Sequence, residues 1–150
     1  MTKKELGSNY FKSGYNCAQS VVLAFKDELG MDEKTASTLS AGFGGGFGRL
    51  REVCGAVSGM VIVISTKFGY YDPLDNAKKM ELYKEIQLIV NKFKEINGSY
   101  ICRELMNLPE GSSTPEPEAR TESYYKKRPC AELVGIACDI LDKYFKGELN

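Results

Sequence analysis

Apolar residues recur at steps of three and four along most of the chain, which is the period of an amphipathic helix. Thr2 and Glu5 form a capping box for a first helix with Leu6 and Tyr10 on its inner face. Ser13-Gly14-Tyr15-Asn16 breaks it, and Asn16 is a good N-cap for a second helix beginning at Cys17. Val21, Val22 and Phe25 give that helix its apolar side, and Gly30 stops it. Asp32 caps a third helix through Ala36 and Leu39, which ends at a glycine-rich stretch. A fourth helix is predicted from about Glu52 to Phe68. Val57, Val61 and Ile64 mark one face while Met60, Ile62 and Val63 cover others, the pattern of a helix buried at the centre of a bundle. Val61-Ile62-Val63-Ile64 also reads as a strand, but no partner strand is evident and the apolar pattern continues at both ends.

Asp72 as N-cap, with Pro73 at the first helical position, is expected to start a long fifth helix. Leu82, Ile86, Ile89, Phe93 and Ile96 form its seam, and Asn97-Gly98 ends it. Ser99 is expected to cap a short helix carrying Cys102, Leu105 and Met106. Residues 107–128 are irregular, with Pro109, Gly111, Pro115 and Pro117 among Ser, Thr and Glu. A loop of this length in a compact domain is either a lid or binding segment or a mobile excursion. Pro129 opens a last helix through Leu133, Ile136, Ile140, Leu141 and Phe145. The expected fold is an all-α, single-domain bundle of about six helices over residues 1–150, with a buried central helix after the glycine-rich loop.

Composition narrows the function. Basic and acidic residues balance at 20 each, so no net field recruits nucleic acid or anionic lipid. The longest greasy run, Met60 to Ile64, is far short of the ~20 residues that cross a bilayer. Met1-Thr2-Lys3-Lys4-Glu5 leads into a polar helix rather than a signal sequence, so a cytoplasmic location is expected without membrane insertion. The absence of His removes Ser-His and Cys-His catalysis and His-ligated metals. Five cysteines, an odd count without a secretion signal, argue against a disulfide scaffold.

Four of those cysteines, Cys17, Cys54, Cys102 and Cys130, fall in the first turn of a predicted helix. Unpaired N–H groups and the positive end of the helix dipole favour a thiolate there, lowering its pKa below ~8.5. Arg49 and Arg51 before Cys54, Arg103 after Cys102, and Lys126-Lys127-Arg128 before Cys130 add positive potential. Such placement suits nucleophilic redox chemistry or metal ligation better than packing. Cys138 lies mid-helix, two turns after Cys130, and reads as a small core residue or as a resolving thiol near the Cys130 face. There is no C-x-x-C pair, so a metal would need ligands from four separate segments.

The glycine run Gly42, Gly44, Gly45, Gly46 and Gly48 allows positive φ and close approach. Gly55 and Gly59, one turn apart, admit another backbone or a cofactor. The run does not satisfy G-x-G-x-x-G and lacks G-K-[ST], so a nucleotide site is disfavoured.

Cys54-Gly55-Ala56-Val57-Ser58-Gly59 matches C-G-A-x-x-G, with Cys17 upstream in Tyr15-Asn16-Cys17-Ala18 and Cys102 and Cys130 downstream. Over nearly its whole length the chain resembles the C_GCAxxG_C_C family of redox-active proteins, which is defined by four such cysteines. A related domain occurs in split-Soret cytochrome c, where the cysteines are assigned to an iron–sulfur cluster; without C-x-x-C-H or His, only that cysteine part carries over. The resemblance implies a redox role and a transport-linked redox partner. Cys17, Cys54, Cys102 and Cys130 are then expected to converge, either as ligands of an iron–sulfur cluster or as a dithiol, with Cys54 and Cys17 the candidate catalytic pair. Gly44, Gly45, Gly46 and Gly55 are the candidate cofactor-binding positions, offering backbone N–H groups to cluster sulfurs. The rival expectations are a Cys₄ zinc module that binds a partner and a helical interaction domain with packed thiols. A bundle with an apolar seam also suits a homodimer.

Overall fold

The computed structural model describes residues 1–109 and 113–150; Gly111 of the irregular stretch lies outside the described residues. Among these residues there are eight α-helices and no strand. The helices are α1 (Lys3–Lys12), α2 (Cys17–Ala24), α3 (Glu33–Ser40), α4 (Gly55–Phe68), α5 (Asn76–Asn97), α6 (Cys102–Leu105), α7 (Glu122–Lys127) and α8 (Cys130–Phe145). The all-α expectation holds.

The caps account for most of the starts. The Thr2 hydroxyl accepts from Glu5 N at 3.1 Å and donates back to the Glu5 carboxylate, half of the expected box. Asn16 and Gln19 form a complete box at the head of α2, and Asp32 caps α3 by accepting from Thr35 N. Besides the start of α4, which falls at Gly55 and not near Glu52 because Val53 is bridged to Ile101, three boundaries differ from expectation. First, α2 ends at Ala24, and a series of turns carries the chain to Gly30. Second, α5 starts at Asn76 under Asp75, because Asp72 spends its carboxylate on Leu74 N in a local turn. Third, α6 is preceded by Ile101 rather than capped by Ser99, whose hydroxyl accepts from Ile101 N. A short helix absent from the sequence reading, α7, starts where the Thr121 hydroxyl accepts from Tyr124 N.

The buried centre is α4, as its all-round apolar pattern requires. Gly55 to Met60 are buried without a break, as are Val63 and Ile64. α4 packs on α2, α5 and α8, and α1 lies along α8. Phe11, Phe25, Phe93, Ile89, Met60 and Leu141 are the large side chains that fill the space between them. On α5 the seam of Leu82, Ile89 and Phe93 is buried, but Ile96 is half exposed at the end of the helix. Gly59 has the use expected of it: a β-carbon there would stand 2.8 Å from Val21 Cβ and 3.1 Å from Ala18 O, so α2 is the backbone that approaches. No described helix is long and apolar enough to cross a membrane.

Candidate functional site

Three separate devices bring the thiols together. The close α2–α4 crossing is the first: the Cys17 β-carbon would be 3.1 Å from a β-carbon added to Gly55. Cys17 therefore sits beside the head of α4, where Cys54 is the N-cap. A two-residue antiparallel bridge between Val53 and Ile101 is the second. Cys54 N donates to Tyr100 O at 2.8 Å, Cys102 N to Glu52 O at 2.6 Å and Arg103 N to Arg51 O at 3.2 Å. The third is the segment between α6 and α8. Arg120 donates to Phe11 O at 3.0 Å and Tyr15 O at 3.1 Å and lies 4.2 Å over the Phe11 ring. That clamp and α7 lead into Cys130 at the start of α8.

All four cysteines line one cavity of about 460 Å³. Pro115, Pro117, Glu118, Arg120, Tyr124 and Arg128 also line it, so the irregular segment forms part of its wall. Gly44, Gly45 and Gly55 line it too, whereas Gly46 does not and packs against Glu52 N and Cys102 Cβ. Cys138 is outside it, fully buried under Gly7.

The glycine-rich loop has an uncommon backbone. Gly45, Gly46, Phe47, Gly48 and Arg49 all have φ between 56° and 72°, and Arg51 follows at 64°. Each non-glycine residue there costs about 1–2 kcal/mol, so the loop holds strain. Returning hydrogen bonds maintain it: Arg51 N to Gly45 O and Glu52 N to Gly46 O, each 3.0 Å. Their effect is to turn the Arg49 and Arg51 side chains into the cavity wall.

The four thiols are electrostatically unequal. Burial pushes Cys54 up to about 12, although the N–H groups of Ala56 and Val57 oppose it. Burial also raises Cys102, against the pull of Arg51. Cys17 is raised well above the ordinary thiol value, first by the Cys130 sulfur beside it and then by burial. Cys130 alone is lowered: the neighbouring Cys17 thiol is the first cause, and together with Arg128, Arg120 and Arg51 it outweighs burial. As a neutral thiol Cys130 can donate to Met106 Sδ, 3.6 Å away. The expectation of four lowered thiols fails for three of them: burial outweighs the helix N–H groups at Cys54 and the pull of Arg51 at Cys102, while at Cys17 the Cys130 sulfur comes first.

Of the flanking cations, Arg49, Arg51 and Arg128 line the cavity, while Arg103 turns away to Pro109 O, Leu50 O and Ser113 Oγ. Lys126 and Lys127 are exposed. Arg120 has no signal in the sequence beyond its charge, since nothing in a proline-rich segment says which way it folds. Among the described residues no three Cys, Asp or Glu side chains form a group able to hold one metal ion. A structural zinc site draws four donors to about 2.0–2.3 Å of one ion, and the thiols as they stand do not fit it. An iron–sulfur cluster spreads its thiolate ligands over several irons, and four thiols facing a cationic cavity fit its donor chemistry and charge.

A helical bundle with four cysteines gathered around one cationic cavity defines the class of protein. The chain belongs to the C_GCAxxG_C_C family, described as "putative redox-active protein", which it matches over residues 15–144. Neither a curated protein nor a solved structure matches it.

Proposed function

We propose that the protein works as a dithiol, with Cys130 the attacking and Cys17 the resolving thiol. The observation that supports this most is that the two sulfurs line one cavity and each is the foremost influence on the other's proton affinity, with Cys17 still partly open to solvent. The Cys130 thiolate attacks one sulfur of a substrate disulfide, forming a mixed disulfide and releasing the other half as a thiolate. Cys17 passes its proton to that leaving group and attacks the Cys130 sulfur. A Cys17–Cys130 disulfide forms and the second half leaves as a thiolate, which takes a proton from solvent. The substrate gains two electrons and the protein loses two, to be restored by a thiol reductant. Cys54, held protonated by burial, and Cys102 stand in the same wall as reserve thiols.

The cationic wall also favours a second reading, an iron–sulfur cluster held by Cys17, Cys54, Cys102 and Cys130. Bound there, it would supply one-electron transfer. The arginines would offset its charge, and the backbone of Gly44, Gly45 and Gly55 would border it.

Protein purified without oxygen distinguishes the two. For the dithiol we expect no stoichiometric iron or acid-labile sulfide. One equivalent of bis(2-hydroxyethyl) disulfide should give a Cys17–Cys130 link by peptide mapping, C17S should trap the mixed disulfide on Cys130, and C130S should not react. Iron with sulfide in stoichiometric amount, or a link that leaves Cys130 free, overturns the dithiol assignment.

A further inference from the structure

Arg51 is the last of the three arginines in its pull on Cys130, and the dithiol chemistry gives its guanidinium no bonded partner. It is 5% exposed, and among the described residues its Nε has no hydrogen-bond partner and its guanidinium reaches only Cys102 Sγ, at 3.8 Å. The other guanidiniums on the cavity are engaged. Arg49 and Arg128 share the Glu118 carboxylate, and Arg120 is held by two backbone carbonyls. Among the described residues, Glu118 is the one carboxylate lining the cavity against four arginines. A buried guanidinium offers five donors in a planar fork, and leaving it without an anion is costly. The strained backbone at residues 45–51 holds Arg51 in this position instead of letting its side chain reach water. Carboxylates are the natural partners of such a fork, binding it through two parallel hydrogen bonds.

We infer that the cavity selects a small disulfide carrying a carboxylate, which Arg51 holds beside the Cys17–Cys130 pair. The choice of a disulfide rests on the dithiol reading above; the anion seat rests on Arg51 alone. The electron balance is that of the dithiol exchange, and the carboxylate takes no part in it. Arg51 is here a specificity residue that positions the substrate and exchanges no electrons.

Two measurements test the inference separately. Suberate, a dicarboxylate in which CH₂–CH₂ replaces the S–S of 3,3′-dithiodipropionate, cannot react with thiols. Calorimetry should show it binding the wild-type protein, at least tenfold more weakly to R51M, and with intermediate affinity to R51K. In turnover with a thiol reductant, kcat/KM for 3,3′-dithiodipropionate should exceed that for neutral bis(2-hydroxyethyl) disulfide by tenfold or more. R51M should lose that preference; losing the pull of Arg51 on Cys130 slows both disulfides alike, so the ratio of the two reads the seat alone. If neither disulfide is reduced but suberate binds through Arg51, the dithiol reading and the disulfide substrate fall while the anion seat stands. No suberate binding by the wild type, or equal binding by R51M and R51K, overturns the seat. Should R51M not fold, wild type against R51K decides the matter by the same calorimetry.

Discussion

At Gly46 a β-carbon would stand 2.6 Å from Glu52 N, 2.8 Å from Cys102 Cβ and 2.9 Å from Arg51 C. Two of those atoms are backbone, held by the Val53–Ile101 bridge, so neither can turn aside. Gly48 is a built-in comparison: its φ is similarly positive at 56°, but nothing lies within 4 Å of its added β-carbon. Gly48→Ala should therefore cost only the left-handed backbone, about 1–2 kcal/mol. Gly46→Ala adds overpacking of about 1–3 kcal/mol. It should also separate Cys102 from the loop and slow oxidation of the cavity thiols. Urea unfolding of both variants reads the difference, and equal losses would show that the contact at Gly46 does not hold the loop closed. Glycine at position 46 thus acts on the site by letting the loop close, a role different from the cofactor contact its sequence context suggests.

At the scale of elements, the crossings are made by small residues. Where α1 lies on α8, a β-carbon on Gly7 would come 2.5 Å from Cys138 Sγ, and one on Gly135 would come 2.9 Å from Ser8 Oγ. Gly7→Ala should destabilise the protein by about 1–3 kcal/mol. Removing the sulfur in Cys138→Ala should relieve much of that, so the double variant should lose less than the two single losses combined by about 0.5–3 kcal/mol. Strict additivity in denaturant unfolding would mean that α1 shifts as a whole instead. This level of the structure was partly legible in the sequence. Asn16 and Asp32 announce α2 and α3 because a side-chain oxygen next to an apolar run has few other uses. Asp72-Pro73 misleads because it offers the same chemistry as Asp75, and only the path of the chain decides between them. The Val53–Ile101 bridge was hidden, since two residues give no alternation to detect, yet it joins Cys54 to Cys102. The helix-start positions of the four cysteines could be read directly. Their pKa values could not, because burial depends on what packs over each start.

Across the whole molecule, balanced charge conceals an uneven distribution, with four arginines around one cavity and the fifth cysteine sealed in the core against Gly7 of α1. Cys138 titrates apart from the site and therefore reports on the fold as a whole. Burial pushes it up to about 12, with Asp139 and Asp142 adding to the rise and Lys3 of α1 opposing it. In the unfolded chain it titrates near ~8.5. Between those values the unfolded state releases a proton that the folded state keeps, so stability falls as pH rises. The contribution is fully present below about pH 8.5 and is lost towards about pH 12, at about 1.4 kcal/mol per pH unit. Other buried thiols and the tyrosines also titrate in this range, but they are common to wild type and to Cys138→Ala and cancel in the comparison. Urea unfolding under reducing conditions, at steps from about pH 8.5 to about pH 10.5, should give a wild-type slope steeper than that of Cys138→Ala by about 1.4 kcal/mol per unit. Parallel slopes would mean that the unfolded chain also shelters this thiol, or that the core opens around it before the protein unfolds.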